Sequence, residues 1–111
     1  MKLMIAGSRK IVDFDLSPYV PQETDLIISG GAQGVDALAE AYADAHRITK
    51  LIVRPEYHLY GRAAPIKRNE NMVDIADRVL VIWDGASRGS AHTIAYAKKK
   101  GKDLVVVEVK S

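Results

Sequence analysis

Five short apolar runs alternate with stretches of helical periodicity along the chain. The apolar runs predict buried strands at residues 2–6, 25–29, 50–54, 79–83 and 103–109. Apolar residues recur at helical spacing over residues 35–46, 65–77 and 89–100, which predicts three helices. Residues 11–20 and 56–65 have no clear period, so we expect an irregular or weakly helical segment in the first and a loop in the second.

The order of these elements predicts an α/β fold. The strands are too apolar for burial on one side only, which favours a mainly parallel five-stranded sheet flanked by helices on both faces. At 111 residues the chain is long enough for one core, so we expect a single domain over residues 1–111. With the common strand order 3-2-1-4-5, a ligand would bind at the carboxyl edge between the first and fourth strands.

Two of the predicted strands run directly into turns of small residues that open a helix. These turns are residues 29–34 after the second strand and residues 84–90 after the fourth. Glycine permits the backbone angles of such turns and the close approach of a ligand. The helix after each turn offers unpaired N–H groups and a positive dipole end. We therefore predict that both turns, together with residues 7–9 after the first strand, hold one phosphate-bearing ligand.

Composition narrows the class of protein. Sixteen Lys and Arg residues against fourteen Asp and Glu leave a net charge of +2, which argues against a nucleic-acid partner. The absence of cysteine excludes disulfides, thiolate catalysis and cysteine-based metal sites. No apolar run approaches the roughly 18 residues of a membrane helix, and the chain begins with a strand rather than a signal peptide. We expect a cytoplasmic protein with no membrane partner.

Common catalytic and cofactor motifs are missing or incomplete. Neither the dinucleotide fingerprint G-x-G-x-x-G nor the P-loop pattern occurs. Residues 85–89 match G-x-S-x-G, but His92 follows Ser87 by only five residues, which argues against an esterase triad. The three histidines lack metal-ligand spacing. The sequence therefore identifies no cofactor and no metal.

Several charged and aromatic residues have both a structural and a functional interpretation. Asp36, near a helix start, either caps that helix or binds a ligand hydroxyl. Arg9, Arg68 and Arg88 fall near strand ends or helix starts, as phosphate-binding arginines do, and an ordinary surface position is the alternative for each of them. Trp83 and Tyr57 are candidates for stacking on a base, and for Trp83 a core position is an equal alternative.

Four motifs taken together resemble the SLOG superfamily. They are Ser-Gly-Gly-Ala-Gln-Gly-Val-Asp at 29–36, Lys-Arg-Asn at 67–69, Trp-Asp-Gly at 83–85 and Ser-Arg-Gly-Ser-Ala-His-Thr at 87–93. This superfamily groups the DNA-uptake protein DprA (Smf), the Lonely-guy cytokinin-activating enzymes and the small YspA/YpsA-like proteins. The resemblance covers nearly the whole chain and is nearest to the YspA-like branch. It implies a Rossmann-like three-layer domain that binds a nucleotide-like small molecule, and it leaves a homodimer open.

The resemblance and the turn pattern together give a set of ligand-binding residues. They are Gly7, Ser8, Arg9, Ser29, Gly30, Gly31, Gly34, Asp36, Arg68, Asn69, Asp84, Gly89, Ser90 and Thr93. One departure concerns the Lonely-guy motif P-G-G-x-G-T-x-x-E, whose glutamate serves catalysis. Thr93 stands at that position here, so the matching carboxylate is missing.

We therefore expect a sensor or sequestering module for a nucleoside phosphate or an ADP-ribose-like ligand. Two alternatives stay open. The first is a nucleotide N-glycosidase or phosphoribohydrolase, for which Asp36, Glu70 and Asp84 are the candidate acids. The second is a DNA- or protein-interaction module of the DprA kind, against which the near-neutral net charge counts.

Overall fold

The five strands form one parallel sheet in the computed structural model, which describes residues 1–110. The strands are β1 (Lys2–Gly7), β2 (Leu26–Ser29), β3 (Thr49–Ile52), β4 (Arg78–Trp83) and β5 (Asp103–Glu108). Their order is β3-β2-β1-β4-β5, and every neighbouring pair is parallel. The predicted α/β fold class and strand order are therefore confirmed, and the arrangement is that of a Rossmann-like three-layer fold.

Alternating side chains of the strands divide the core between the two faces of the sheet. On β1, Leu3 and Ile5 face the layer formed by α1 (Val35–Ala45) and the irregular segment that precedes β2. Met4 and Ala6 face the opposite layer. Because both faces are covered, the central strands are apolar at nearly every position, which is the pattern that predicted the parallel sheet.

The helices match the prediction except in one segment. The opposite layer is formed by α3 (Ala64–Ile75) and α4 (Arg88–Lys99), close to the predicted helices. The predicted loop at 56–65 instead contains the single-turn helix α2 (Tyr57–Tyr60) and a 3-10 turn at Gly61–Ala63. One turn is too short to create a hydrophobic period, so this helix could not be predicted from the sequence. None of the helices within residues 1–110 is long and apolar enough to cross a membrane.

The strand order reverses between β1 and β4, because β2 and β3 lie on one side of β1 whereas β4 and β5 lie on the other. The carboxyl ends of these two neighbours are joined by Ser8, whose N–H donates to the Ile82 carbonyl oxygen at 3.1 Å. The Ser8 hydroxyl oxygen accepts the Asp84 N–H at 3.0 Å. These two bonds bring the turn after β1 beside the turn after β4, at the edge where open α/β sheets bind ligands.

Candidate functional site

A cavity of about 480 Å³, here called the central cavity, opens at the carboxyl ends of β1 and β4. This volume lies within the range of small-molecule sites. Nine of the predicted ligand-binding residues line it: Gly7, Arg9, Asp36, Arg68, Asn69, Asp84, Gly89, Ser90 and Thr93. The strand ends and the start of α4 therefore bring together most of the residues that the sequence singled out.

A second cavity of about 310 Å³, here called the arginine cavity, lies over the first glycine turn. The predicted residues Gly30 and Gly31 line it, together with Arg54 and Tyr57. The two cavities are neighbours, since both are lined by Arg9, Ala32 and Arg68.

The first glycine turn uses backbone donors for its own structure. The Gly31 N–H donates to the Ser29 hydroxyl oxygen at 3.4 Å, and the Ala32 N–H donates to Asp36 Oδ2 at 3.1 Å. These two N–H groups are therefore taken by the protein and are not open to phosphate as the sequence analysis expected. Asp36 thus accepts a hydrogen bond from the turn that precedes its helix, and it does not cap the N-terminus of the helix itself.

Three of the predicted site residues line neither cavity and have structural roles. Ser8 is buried between β1 and β4. Ser29 is fully buried, and its hydroxyl donates to the Asp36 carbonyl oxygen at 3.3 Å. Gly34 has a φ of 71°, and a Cβ there would lie 2.5 Å from the Ser8 carbonyl oxygen. Only glycine fits at this position, because the backbone is left-handed and a neighbouring chain segment occupies the space.

Arg68 on α3 is a buried guanidinium with one side still open. Its Nη1 donates to the carbonyl oxygens of Gly30 at 2.6 Å and Val53 at 3.4 Å, and Nε donates to Asn69 Oδ1 at 2.8 Å. Burial lowers the pKa of Arg68, and the charge of Asp36 opposes that shift. Nη2 makes no hydrogen bond within residues 1–110 and keeps access to solvent. The guanidinium is thus held rigidly and can still bind a ligand atom.

Two carboxylates on the cavity wall have pKa values moved in opposite directions. Burial raises the pKa of Asp36, although the N–H of Ala32 opposes the shift. The backbone N–H groups of Ala86 and Ser87, at 2.9 and 2.8 Å from its Oδ1, lower the pKa of Asp84. Both acids can accept a hydrogen bond from a ligand hydroxyl. Within residues 1–110, no group of three or more His, Asp and Glu side chains is arranged to hold a metal ion.

The first turn of α4 presents unused donors to the central cavity. Across the described residues, the N–H groups of Arg88, Gly89 and Ser90 have no protein acceptor. A Cβ at Gly89 would meet no atom within 4 Å, so the backbone there is open. Thr93 directs its hydroxyl back to the Gly89 carbonyl oxygen at 3.0 Å. The Arg88 side chain is exposed and lines neither cavity, so its predicted role in binding phosphate finds no support here.

Some of the remaining aromatic and acidic candidates line a cavity, and others have a structural role. Trp83 donates its Nε1–H to the Ser87 carbonyl oxygen at 3.0 Å and packs against the core, which is the structural alternative. Tyr57 lines the arginine cavity. Glu70 lies 2.9 Å from His92 Nε2 between α3 and α4, and it lines neither cavity. Of the three candidate acids, only Asp36 and Asp84 thus reach the central cavity.

Several residues that line the two cavities were not predicted from the sequence. In the central cavity these are Ala6, Lys10, Ala32, Pro65, Ala86 and Ser87, and in the arginine cavity the main omission is Arg54. Arg54 is the last residue of the predicted third strand and lies two residues beyond the end of β3, so the reasoning that selected the other strand ends could have found it. Lys10 directly follows Arg9, so the same turn could have pointed to it.

Comparison with known proteins adds one relative. The chain is 33% identical over 86 residues to the Gene 61 protein of Mycobacterium phage D29, which covers 72% of this chain and 69% of the phage protein. The name of that protein states neither a ligand nor an activity. No family model matches the chain. No solved structure matches it either.

Proposed function

The chain belongs to the same family as the Gene 61 protein of Mycobacterium phage D29, and we propose that it binds a nucleotide or nucleotide-derived ligand in the central cavity. The observation that carries this proposal is the open first turn of α4 facing Arg9, Lys10 and Arg68 across the cavity. A helix N-terminus opposite cations suits a phosphate group. We propose a role as a sensor or sequestering module.

The walls of the central cavity offer partners for the phosphate and the sugar of such a ligand. The N–H groups of Gly89 and Ser90 and the guanidinium of Arg68 would bind phosphate oxygens. Asp36 and Asp84 would accept hydrogen bonds from sugar hydroxyls. Three cationic side chains against two carboxylates leave the wall with a net positive charge, which favours an anionic ligand.

The resemblance to the SLOG superfamily supports the same ligand class. Its two glycine-containing motifs fall on the two turns that border the cavities. Thr93 occupies the place of the Lonely-guy glutamate and uses its hydroxyl on the α4 backbone. This substitution favours binding over hydrolysis.

A matched pair of charge insertions on α4 tests the proposal. Wild-type protein is first screened by thermal shift against AMP, ADP and ADP-ribose, where a ligand at 100 times its Kd should add about 2.7 kcal/mol of stability. Calorimetry then compares Gly89→Glu with Ala91→Glu for the best ligand. Both positions are exposed and both variants place a carboxylate near the helix start, but only residue 89 lines the cavity.

We expect Gly89→Glu to weaken binding by at least about 10-fold, which is 1.4 kcal/mol, because its carboxylate repels phosphate. Ala91→Glu should change affinity by less than about 2-fold, within the range of ordinary surface changes. Failure of every nucleotide to stabilise the wild-type protein would contradict the proposal. Equal affinity in wild type and Gly89→Glu would place the ligand elsewhere.

Hydrolysis of the bound nucleotide is a second candidate, favoured by one observation. Asp36 is a buried carboxyl with a raised pKa on the cavity wall beside Arg68, the setting of many general acids. The test is release of free base from the bound nucleotide at a rate proportional to protein. Such release, abolished in Asp36→Asn while the nucleotide still binds, would establish the enzyme; binding without release would leave the sensor role.

A further inference from the structure

We propose that the arginine cavity is a second anion subsite, which takes a further phosphate of a ligand whose nucleoside end lies in the central cavity. This inference rests on the proposed function, because one ligand spans both cavities. It specifies that ligand as carrying at least two phosphates. A nucleoside diphosphate is the smallest molecule of this class.

The geometry of the first glycine turn brings two guanidinium groups together. A Cβ on Gly30 would lie 2.6 Å from Arg68 Nη1, and a Cβ on Gly31 would lie 3.0 Å from Arg54 Nη1. Each arginine therefore packs directly against one glycine of the turn. Side chains at either glycine would displace these groups, so the pair of glycines serves the placement of the arginines.

The charges around the arginine cavity are unbalanced. It is lined by Arg9, Arg54 and Arg68, and no carboxylate forms part of its wall. Within residues 1–110, neither Arg9 nor Arg54 has an acidic partner within 4.0 Å. Asp36, which offsets the charge of Arg68, lines the central cavity instead. Three cations with one nearby carboxylate leave a net positive charge here, and a bound anion would offset it.

The donor set suits phosphate. Guanidinium groups form charge-assisted hydrogen bonds with phosphate, and Arg68 keeps Nη2 open for such a bond, while its Nε and Nη1 are already bonded to the protein. The Tyr57 hydroxyl adds a neutral donor on the same wall. Arg9 and Arg68 line both cavities, so consecutive phosphates of one chain can contact them from the two sides.

Calorimetry with AMP and ADP at constant ionic strength tests the subsite. The variant is Arg54→Gln, and the matched control is Arg62→Gln, an exposed arginine on the neighbouring 3-10 turn that lines neither cavity. We expect wild-type protein to bind ADP at least about 10-fold more tightly than AMP, since a charge-assisted hydrogen bond contributes that much or more. Arg54→Gln should abolish this preference and leave AMP affinity unchanged, and Arg62→Gln should preserve it.

Each other outcome bears on a different claim. Equal affinity for AMP and ADP in wild type, unaffected by Arg54→Gln, overturns the second subsite and leaves the proposed function intact. Equal losses for AMP and ADP in Arg54→Gln also overturn it, because the cavity would then hold the first phosphate. If neither nucleotide binds, the proposed function fails, and inorganic pyrophosphate decides the subsite: binding that depends on Arg54 supports it, and no binding overturns it.

Discussion

The first glycine turn (residues 29–34) is packed into the protein, whereas the turn that ends in α4 (residues 84–90) keeps the N–H groups of residues 88–90 open, although those of Asp84, Ala86 and Ser87 are bonded. In the first, a Cβ at Gly30 or Gly34 would collide with an arginine or with backbone, and two N–H groups are already bonded. In the second, a Cβ at Gly89 would meet no atom within 4 Å. Glycine thus serves internal packing in one turn and lies in open space in the other, although the two turns look alike as sequence.

The largest expected effect comes from filling the packed turn. Gly34→Ala should destabilise the fold by about 3 kcal/mol or more, because a left-handed φ and a backbone collision act together. Gly61→Ala is the control, since Gly61 has a φ of 54° but no atom within 4 Å of a Cβ. It should lose only about 1–2 kcal/mol. Urea unfolding measures both, and equal losses would show that packing around the first turn is not the cause.

Removing the guanidinium of Arg68 should give the next largest effect. Arg68→Met leaves the buried Gly30 carbonyl oxygen without its donor, which should cost about 1–3 kcal/mol. Arg9→Met should change the free energy of unfolding by less than about 0.5 kcal/mol, since Arg9 is exposed. Both variants should bind nucleotide more weakly. A stable Arg68→Met protein would contradict the view that the protein itself needs this arginine.

Asp36→Asn should affect stability and binding in opposite directions, and its effect on stability should depend on pH. Burial raises the pKa of Asp36 above its ordinary 3.8, so the folded state holds its proton more tightly and this group lowers stability as pH rises through that window. The variant should therefore be more stable than wild type at pH 7, and the difference should shrink towards pH 4. It should also bind nucleotide less tightly.

The exposed Asp15 provides a control of opposite sign for that experiment. A hydrogen bond from the Ser17 hydroxyl lowers the pKa of Asp15, so its contribution to stability is present above pH 3.8 and lost as pH falls through the lowered value. Asp15→Asn should therefore be less stable than wild type at pH 7. Urea unfolding at several pH values measures both variants, and a loss of stability at pH 7 in Asp36→Asn would contradict the assignment.

The smallest expected effect is in the open turn. Gly89→Ala should stabilise the fold by about 0.5–1 kcal/mol, because alanine favours the helix and meets no neighbour. In urea unfolding, Gly89→Ala should raise the free energy of unfolding, whereas Gly34→Ala should lower it. A destabilised Gly89→Ala would mean that this turn is also needed for packing.

Much of the fold could be predicted because its signals are local. The continuous apolar run of Leu3, Met4 and Ile5 indicates a strand buried on both faces, and such strands between helices leave few possible arrangements of the chain. Most of the residues that line the central cavity could be predicted as well, since the strand ends of a parallel sheet meet at one edge. The state of the donors could not be predicted, because the bonds of Gly31 and Ala32 depend on how side chains turn in three dimensions.

The same limit explains the residues that changed role. Glu70 and Arg68 lie on one helix, but Arg68 reaches the cavity and Glu70 turns to His92 on the neighbouring helix. Arg54, two residues after β3, reaches the glycine turn through a long side chain whose direction no sequence pattern records. Local periodicity predicts elements, and side-chain direction decides which residues meet.

Amide NMR during an ADP titration tests most directly whether the open turn holds the ligand. We expect the largest shifts at the N–H groups of Arg88, Gly89 and Ser90, which gain acceptors, and smaller shifts at Gly31 and Ala32, whose N–H groups are already bonded. Saturating ADP that leaves residues 88–90 unchanged, or that shifts mainly the edge strand β5, would contradict a phosphate site at the start of α4.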